Sequence, residues 1–429
     1  MVTFRNRESD LQKKWSEKND LINVNKDQYY LSSQEKENSF YSDPYTSEDD
    51  KKKFKEYREE WFRRPKEFDP GDKPLAINCE LVSTCNLACT MCYTITDKFQ
   101  NSVVGAQRIM PWKIVKKIID DVASNNIFNI SFSWRGESTI WRDKDENGNL
   151  LTFPDVLKYA RNAGIVEITC LTHGQLIDKK MAEKIVLAEP TWLSFSIDGL
   201  YEDYKKIRTP PNKIGTSYDA FKKVTESIVN LHKFKKKYNL KRPQIRTNTV
   251  FPAIKNYPEK YRDYFESIGV DLITVNEILD YRFEDMPDEM INDNWACPHP
   301  FQRLTISANG IIVPCTGAYN EEEGLVVGKY DGTDNKTIRD FDGNEVSSKL
   351  DDFDLIGAWK SKKLNHIRHL HSNNLRKEIS PGCRNCHHGA VKHGADFLPK
   401  EWDAKNQRWK VHENISGKKR YNTRGGLTS

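Results

Sequence analysis

The 429-residue sequence lacks any run of about 20 apolar residues, the length that a membrane-spanning helix requires. Its N-terminus, MVTFRNRESDLQKKW, also lacks the apolar centre of a secretory signal. A large excess of either charge is missing as well, because 67 Lys and Arg stand against 62 Asp and Glu. So small a net charge gives little reason to expect a nucleic-acid partner. We therefore expect a folded cytoplasmic protein that binds neither a membrane nor a nucleic acid.

Cysteine, in contrast, is present in a pattern that disulfides do not explain. Clustered cysteines in a reducing cytosol are more often metal ligands or catalytic groups. Seven of the nine form two sets, and two are left over. The first set is Cys85, Cys89 and Cys92, the second is Cys297, Cys315, Cys383 and Cys386, and the remaining pair is Cys79 and Cys170.

The first set lies within the octapeptide CNLACTMC and offers three thiols. Three ligands are one too few for a closed structural zinc site, and the nearest downstream histidine is His173. A four-iron cluster normally takes one thiolate per iron, so three thiolates leave one iron open. An open iron can bind a substrate or a cofactor directly.

This C-x3-C-x2-C spacing, followed at once by Tyr93, resembles the signature of the radical S-adenosylmethionine (SAM) superfamily. The resemblance implies a [4Fe–4S] cluster whose open iron chelates the amino and carboxylate groups of SAM. It also implies that the reduced cluster cleaves SAM to a 5′-deoxyadenosyl radical. An external one-electron donor such as flavodoxin or ferredoxin is then expected.

From residue 75 onward, strand-like apolar runs alternate with helix-period segments, which predicts an α/β fold. We expect strands near 75–82, 127–134, 165–171, 191–197, 243–250 and 270–276. Repeated βα units imply a parallel sheet with right-handed crossovers. Six units rather than eight indicate a partial (β/α)6 TIM-like barrel, which is the fold that the resemblance implies.

Unusual polar motifs follow these strands, at the end where such barrels place their chemistry. WRGES follows the second strand, and its RGES resembles the family motif GGEP, with departures at Arg135 and Ser138. THG follows the third strand, SFSIDG closes the fourth and IRTNT closes the fifth. The resemblance implies backbone contacts to SAM around Gly136, contacts to the ribose from strand 4, and a guanidinium for the SAM carboxylate. The implied SAM-binding residues are Arg135, Gly136, Glu137, Ser196, Asp198 and Arg246.

The second cysteine set has the spacing C-x17-C … C-x2-C, and four thiols can close a tetrahedral site. Cys297 and Cys315 flank a predicted hairpin whose turn, Asn309-Gly310, suits type I′ geometry. A helix, IGAWKSKKLNHIRHL, precedes the last two cysteines. Spacing alone leaves zinc and iron–sulfur open, whereas the pattern resembles the Twitch version of the SPASM domain. That resemblance implies one auxiliary [4Fe–4S] cluster, and His299, His387 and His388 are spare possible ligands.

These features divide the chain into four parts. We expect a charged N-terminal extension at 1–70, formed by a polar tract and a short helix, as an appendage. The radical SAM partial barrel then covers 71–290, and a small Twitch/SPASM-like domain of a β-hairpin plus helix covers 291–390. A C-terminal tail occupies 391–429.

The implied reaction is oxidation or epimerisation at a C–H bond of a sugar or aminocyclitol, as in Twitch relatives that include an aminocyclitol dehydrogenase. Two alternatives are a maturase that modifies a ribosomal peptide and a catalytically silent cluster scaffold. An epimerase needs a hydrogen-atom donor, for which Cys79 and Cys170 are the uncommitted thiols. We expect that neither serves as one and that the enzyme oxidises its substrate.

Overall fold

The structure is a computed structural model, and it describes residues 5–6, 10–16, 21–22, 28–89, 91–95, 99, 108–276, 294–318, 321, 324–330, 350–379, 382–384, 386, 401–403 and 408–410. All nine cysteines are among the described residues. His387, His388 and most of the predicted tail lie outside them.

The strands, in chain order, are β1 (Arg5–Asn6), β2 (Gln28–Tyr30), β3 (Ala76–Cys79), β4 (Asn129–Ser131), β5 (Arg142–Lys144), β6 (Leu150–Thr152), β7 (Glu167–Thr172), β8 (Trp192–Ser196), β9 (Gln244–Val250), β10 (Leu272–Asn276), β11 (Arg303–Ile306), β12 (Ile311–Val313), β13 (Gly328–Tyr330), β14 (Asp352–Phe353), β15 (Glu401–Asp403) and β16 (Arg408–Lys410). The helices are α1 (Asp10–Ser16), α2 (Gln34–Ser42), α3 (Glu48–Glu67), α4 (Trp112–Ser124), α5 (Phe153–Asn162), α6 (Lys179–Ala188), α7 (Tyr201–Arg208), α8 (Ala220–Tyr238), α9 (Phe251–Ile254), α10 (Pro258–Ser267), α11 (Leu355–Trp359) and α12 (Lys362–Ser372).

The six predicted strands are all present, as β3, β4, β7, β8, β9 and β10. They lie side by side in chain order and every neighbouring pair is parallel. Because helices connect successive strands, this is the predicted partial (β/α)6 barrel, and the prediction of its fold is confirmed.

The two faces of this sheet differ in chemistry. One set of alternate residues packs against the helices and is fully buried, which the apolar stripe of α4 and its neighbours explains. These residues include Ile77, Ile130, Ile168, Leu193, Ile245 and Ile273. The other set lies on the inner face of the barrel and is mainly polar. It includes Asn78, Ser131, Thr169, Ser194, Arg246 and Asn248.

The N-terminal segment departs from the predicted appendage, because it forms part of the barrel. Strand β2 pairs antiparallel with β10, and the 20-residue helix α3 packs at the amino-terminal end of the strands. There the ring of Tyr57 stacks on Phe128 with centroids 4.3 Å apart, and Tyr45 donates a 2.8 Å hydrogen bond to Glu167. The charged surface of α3 concealed this apolar stripe in the sequence.

The C-terminal elements extend the same sheet. Strand β11 pairs parallel with β3, and β12, β13 and β14 follow in order. The predicted β11–β12 hairpin is present, but its turn is not type I′, because Gly310 has a positive φ of 81° and Asn309 does not. Instead Gly310 N–H bonds to the Ser307 carbonyl and Ser307 N–H to the Ile311 carbonyl, a turn with a glycine bulge.

The helix predicted from IGAWKSKKLNHIRHL is two helices, α11 and α12. Ser361 separates them, since its side chain accepts from the Leu364 N–H and caps the start of α12. In the part of the chain that the structure describes, no helix has both the length and the apolar character to cross a membrane.

Candidate functional site

The loop after β3 carries Cys85, Cys89 and Cys92 at the carboxyl end of the sheet. The Cys92 N–H bonds to the Cys89 carbonyl at 2.9 Å, and the Leu87 N–H approaches the Cys85 sulfur at 3.4 Å. The Cys92 sulfur lies 3.0 Å from Thr94 Oγ1. Each of the other two thiols interacts electrostatically with Cys85, so the loop gathers all three.

The surroundings of Cys85 and Cys89 disfavour the thiolate form in the absence of a cation. Burial raises the pKa of Cys85 well above its usual range, and Cys89 and Glu137 raise it further. Burial likewise raises the pKa of Cys89 to about 12. A bound metal ion reverses this preference, because it deprotonates a coordinating thiol outright. Three adjacent thiols, one buried and two half-buried, therefore fit the three-thiolate cluster that the sequence predicts.

Gly136 brings the loop after β4 against the cysteine loop. A Cβ at this position would overlap the carbonyl oxygen of Val82 and lie 2.5 Å from that of Thr84. The next N–H, that of Glu137, bonds to the Thr84 carbonyl at 3.0 Å. The glycine is thus required for backbone packing between the two loops.

The Glu137 carboxylate connects the loops after β4 and β7. It is buried and accepts from Thr139 N, Thr139 Oγ1, Thr172 Oγ1 and His173 N, at 2.6–3.1 Å. Burial acts to raise the pKa of Glu137, but His173 and the donated hydrogen bonds outweigh it and hold the pKa below its usual range. The side chain predicted to contact SAM is therefore occupied by protein donors.

Arg135 lies in a buried ion-pair network. Its guanidinium donates to both oxygens of Glu80, at 2.9 and 2.6 Å, and to Glu321 at 2.8 Å. It also lies over the Trp134 ring, 3.8 Å from the centroid. Glu80 in turn accepts from the N–H of Ala308 in the β11–β12 turn. The Arg135 side chain thus links the loop after β4 to the C-terminal elements, and its role in SAM binding stays a prediction.

Asp198 is paired with Arg208 at the end of α7. Arg208 Nε and Nη2 each lie 2.6 Å from Asp198 Oδ2, while the Val250 N–H donates to Oδ1 at 3.1 Å. The same guanidinium approaches the Cys89 sulfur at 3.6 Å. Asp198 therefore orients a cation beside the cysteine loop, and its contact with a ribose stays a prediction.

Ser196 and Arg246 are the remaining predicted SAM contacts. Ser196 ends β8 opposite Asn248 and is partly exposed. Arg246 lies on the inner face, nearer the amino ends of the strands. Its Nε donates to Ser194 Oγ at 3.1 Å and its guanidinium lies over Trp192. Arg208, rather than Arg246, is therefore the guanidinium next to the cysteine loop.

The second cysteine set also converges. Cys383 interacts electrostatically with Cys297, Cys315 and Cys386, and burial raises its pKa well above the usual range. Within the described residues, no three His, Cys, Asp or Glu side chains have the spacing of a single-ion site. A four-iron cluster makes a different demand, since each thiolate binds a separate iron.

Buried polar groups hold the loops that carry this set. Arg376 donates to the carbonyls of Trp295, Cys383 and Arg384 at 2.6–3.1 Å. The Cys297 N–H donates to His371 Nδ1 at 3.2 Å. His299, predicted as a spare ligand, begins the one-turn helix His299–Phe301, and its N–H hydrogen-bonds the Cys297 thiol.

Comparison with known families bears on the part of the chain that carries the first cysteine set. The family profile described as radical SAM superfamily matches residues 80–239, which run from the cysteine loop to the end of α8. Residues 80–239 thus form a radical SAM domain. Such a domain implies SAM and a [4Fe–4S] cluster as cofactors.

Individual relatives are more distant. The Fe-coproporphyrin III synthase of Methanosarcina barkeri (strain Fusaro / DSM 804) is 30% identical over 144 residues, which cover 33% of this chain and 31% of the relative. The chain thus spans under a third of that relative's length.

Among solved structures, BtrN in complex with AdoMet and 2-DOIA is 13% identical, with a TM-score of 0.40 over 75% of this chain and 97% of that one. Native anSMEcpe with bound AdoMet is 15% identical, with a TM-score of 0.45 over 70% and 84%. SuiB from Streptococcus suis is 15% identical, with a TM-score of 0.39 over 76% and 74%.

The two uncommitted thiols lie on the helix-facing side of the sheet. Cys79 contacts Met110, with 3.8 Å between the sulfurs, and the Cys170 thiol points to the Phe132 carbonyl at 3.1 Å. Neither side chain is exposed. Both therefore face away from the polar interior of the barrel.

Four functional positions were missed from the sequence: Glu80, Trp134, Arg208 and Glu321. Glu80 and Glu321 pair with Arg135, and Trp134 Nε1 donates to the Thr316 carbonyl at 2.8 Å. Arg208 follows Asp198 by ten residues in a helix rich in lysine, where nothing local distinguishes it. For Glu80, its place directly after an apolar strand was the one signal that the sequence offered.

Proposed function

We propose that this radical SAM enzyme carries two [4Fe–4S] clusters and oxidises a C–H bond of a sugar or aminocyclitol type substrate. Cys85, Cys89 and Cys92 would hold the cluster that binds SAM, and Cys297, Cys315, Cys383 and Cys386 the auxiliary cluster. Bound SAM would supply the radical chemistry for hydrogen abstraction, and the auxiliary cluster would take up the electron that the oxidation releases. An external donor such as flavodoxin or ferredoxin would reduce the protein.

Arg208 is the residue that we assign to the SAM carboxylate. Its guanidinium lies beside the sulfur of Cys89, and Asp198 fixes its orientation. A planar guanidinium suits bidentate carboxylate recognition. Gly136 supports the same site by letting the loop after β4 pack against the cysteine loop.

The polar inner face of the barrel is the observation that carries the substrate class. Partly exposed hydroxyl and amide side chains lie on or directly after β4, β8, β9 and β10, and such groups hydrogen-bond the hydroxyls of a polyol. They are Ser131, Ser133, Ser196, Asn248 and Asn276. Asn276 and Thr274 both donate to Asn248 Oδ1, which fixes that amide.

The position of the spare cysteines supports oxidation over epimerisation. An epimerase must return a hydrogen atom to the substrate radical, whereas an oxidation ends with loss of a proton and an electron. Cys79 and Cys170 are buried against the helical layer, so neither can reach a substrate inside the barrel.

The test uses anaerobically reconstituted protein, SAM and dithionite. We expect 5′-deoxyadenosine to form with the wild type and to be absent when Cys85, Cys89 and Cys92 are replaced by Ala. Sugars and aminocyclitols should stimulate its formation more than peptides do. Solvent deuterium at a product carbon would contradict oxidation, and stimulation by peptides alone would favour the maturase function.

A further inference from the structure

Arg246 occupies an unusual position on the inner face of the barrel. It is the third residue of β9, level with Ser194 on β8 and Leu272 on β10. Its Nε donates to Ser194 Oγ at 3.1 Å, and its guanidinium lies 4.8 Å from the centre of the Trp192 ring. These two contacts fix the plane of the guanidinium but use little of its donor capacity.

The N-terminal segment packs beside Arg246 at the amino-terminal end of the barrel strands. Trp192 packs against Phe40 of α2, with ring centroids 6.4 Å apart, and its Nε1 donates to Glu167. Glu167 is itself bound by Tyr45. The residues predicted to be an appendage therefore close the lower end of the barrel, below a partly exposed cation.

Arg246 differs from Arg135 and Arg208 in its charge partners. Arg135 pairs with two glutamates, and Arg208 pairs with Asp198. In the described part of the chain, no carboxylate lies within ion-pair distance of Arg246. A partly desolvated guanidinium with a fixed plane and free terminal nitrogens is prepared for a planar or tetrahedral anion.

Arg246 lies at a distance from the cysteine loop. Val250, which donates to Asp198 beside the cysteine loop, lies four residues further along β9. Four residues of strand correspond to about 13 Å, so Arg246 lies well below the SAM end of the barrel.

We propose that Arg246 binds an anionic group, a carboxylate or a phosphate, on the substrate. This inference rests on the proposed function and narrows its substrate class to acidic sugars, such as sugar acids or sugar phosphates. The polar residues above Arg246 would bind the hydroxyls, and Arg246 would anchor the far end of the molecule. The reacting carbon would then face the cysteine loop.

Phenylglyoxal, which modifies accessible arginines, tests this on the reconstituted protein, with peptide mass spectrometry to locate the adducts. Arg246 should react, whereas the buried and paired Arg135 should not. Inorganic phosphate at about ten times its dissociation constant should slow modification of Arg246 about tenfold. Exposed Arg142 reports any general effect of salt, and acetate in place of phosphate distinguishes the two anions.

Every outcome decides the proposal. Protection of Arg246 by phosphate or acetate, with none at Arg142, supports it. An unreactive Arg246 would show that the chain itself pairs this cation, and reaction without protection would show that no anion binds; either overturns it. Protection by SAM alone would return Arg246 to the cofactor and also overturn it.

The variant Arg246→Gln separates this inference from the proposed function. We expect iron content and SAM affinity to equal those of the wild type. A tenfold loss of SAM affinity would contradict the assignment of Arg246 to the substrate. Failure of the wild type to hold iron or to cleave SAM would instead refute the proposed function, whatever the labelling at Arg246 shows.

Discussion

Glu80 and Arg135 form a bidentate ion pair, with Oε1–Nε and Oε2–Nη2 distances of 2.9 and 2.6 Å, in the interior of the protein. The same glutamate accepts from Ala308, and the same arginine reaches Glu321. The pair therefore joins the ends of β3 and β4 to the elements that carry the second cysteine set. A buried pair of this kind is costly to break, because removing one partner leaves the other charge uncompensated.

Glu80→Gln should lower the free energy of unfolding by about 3–5 kcal/mol, measured by guanidinium-induced unfolding under anaerobic conditions. The matched control is Asp120→Asn, which breaks the exposed pair with Lys116 and should cost about 1 kcal/mol or less. Equal effects of the two substitutions would contradict the network's role in stability.

Gly136→Ala should displace the cysteine loop, because the added Cβ overlaps the carbonyl of Val82. We expect reconstituted Gly136→Ala to lose iron from the first site and to bind SAM weakly, as measured by iron analysis and equilibrium dialysis. Gly148→Ala is the control, since nothing lies within 4 Å of its Cβ. It should keep both clusters despite about 1 kcal/mol of backbone strain from the positive φ. Full cluster content in Gly136→Ala would show that the loops can separate without consequence.

Iron content distinguishes two clusters from one cluster and a zinc ion. The wild type should hold about eight irons per chain, and replacing Cys85, Cys89 and Cys92 with Ala should leave about four. Cys79→Ala is the matched control and should keep about eight, because this thiol faces the helices. Four irons and one zinc in the wild type would refute the auxiliary iron–sulfur cluster.

The barrel could be predicted from the sequence, because each of its six strands is a local apolar run and the order of parallel strands follows from the helices between them. The cysteine sets were equally visible, since their spacing is local. The contacts of Arg135, Asp198 and Arg246 could not be read in this way. Each depends on a partner outside its own motif, such as Glu321 for Arg135, and pairing of this kind leaves no trace in a short motif.

The N-terminal segment was missed for a different physical reason. Helix α3 is predominantly charged, and the residues that pack against the barrel, Phe54, Tyr57 and Trp61, are spaced among those charges. The average composition of α3 is therefore that of a solvent-exposed helix. The apolar partners, such as Phe128, lie on the barrel and become evident only in three dimensions.

Arg208→Lys should make the reduction potential of the first cluster more negative. Arg208 approaches the Cys89 sulfur at 3.6 Å, and hydrogen bonds to ligand sulfurs stabilise the more negative, reduced state of a cluster. Lysine keeps the charge and loses the fork that contacts both Asp198 and the sulfur. A potentiometric titration followed by electron paramagnetic resonance measures the shift, and Arg262→Lys on the surface is the control. An unchanged potential with full iron content would rule out this hydrogen bond as a determinant.

Glu167→Gln should gain stability relative to the wild type as the pH rises. Burial raises the pKa of Glu167 above its ordinary value of 4.5, although hydrogen bonds from Tyr45, Trp192 and Asn129 act in the opposite direction. A carboxyl whose folded pKa is raised contributes its stability fully below the unfolded pKa, and this contribution is lost as the pH rises through the folded pKa. The melting temperature of Glu167→Gln should therefore rise, relative to that of the wild type, between pH 5 and pH 8. Exposed Glu202→Gln is the control and should show no such trend, whereas a constant difference for Glu167→Gln would mean that this carboxyl is charged throughout the range.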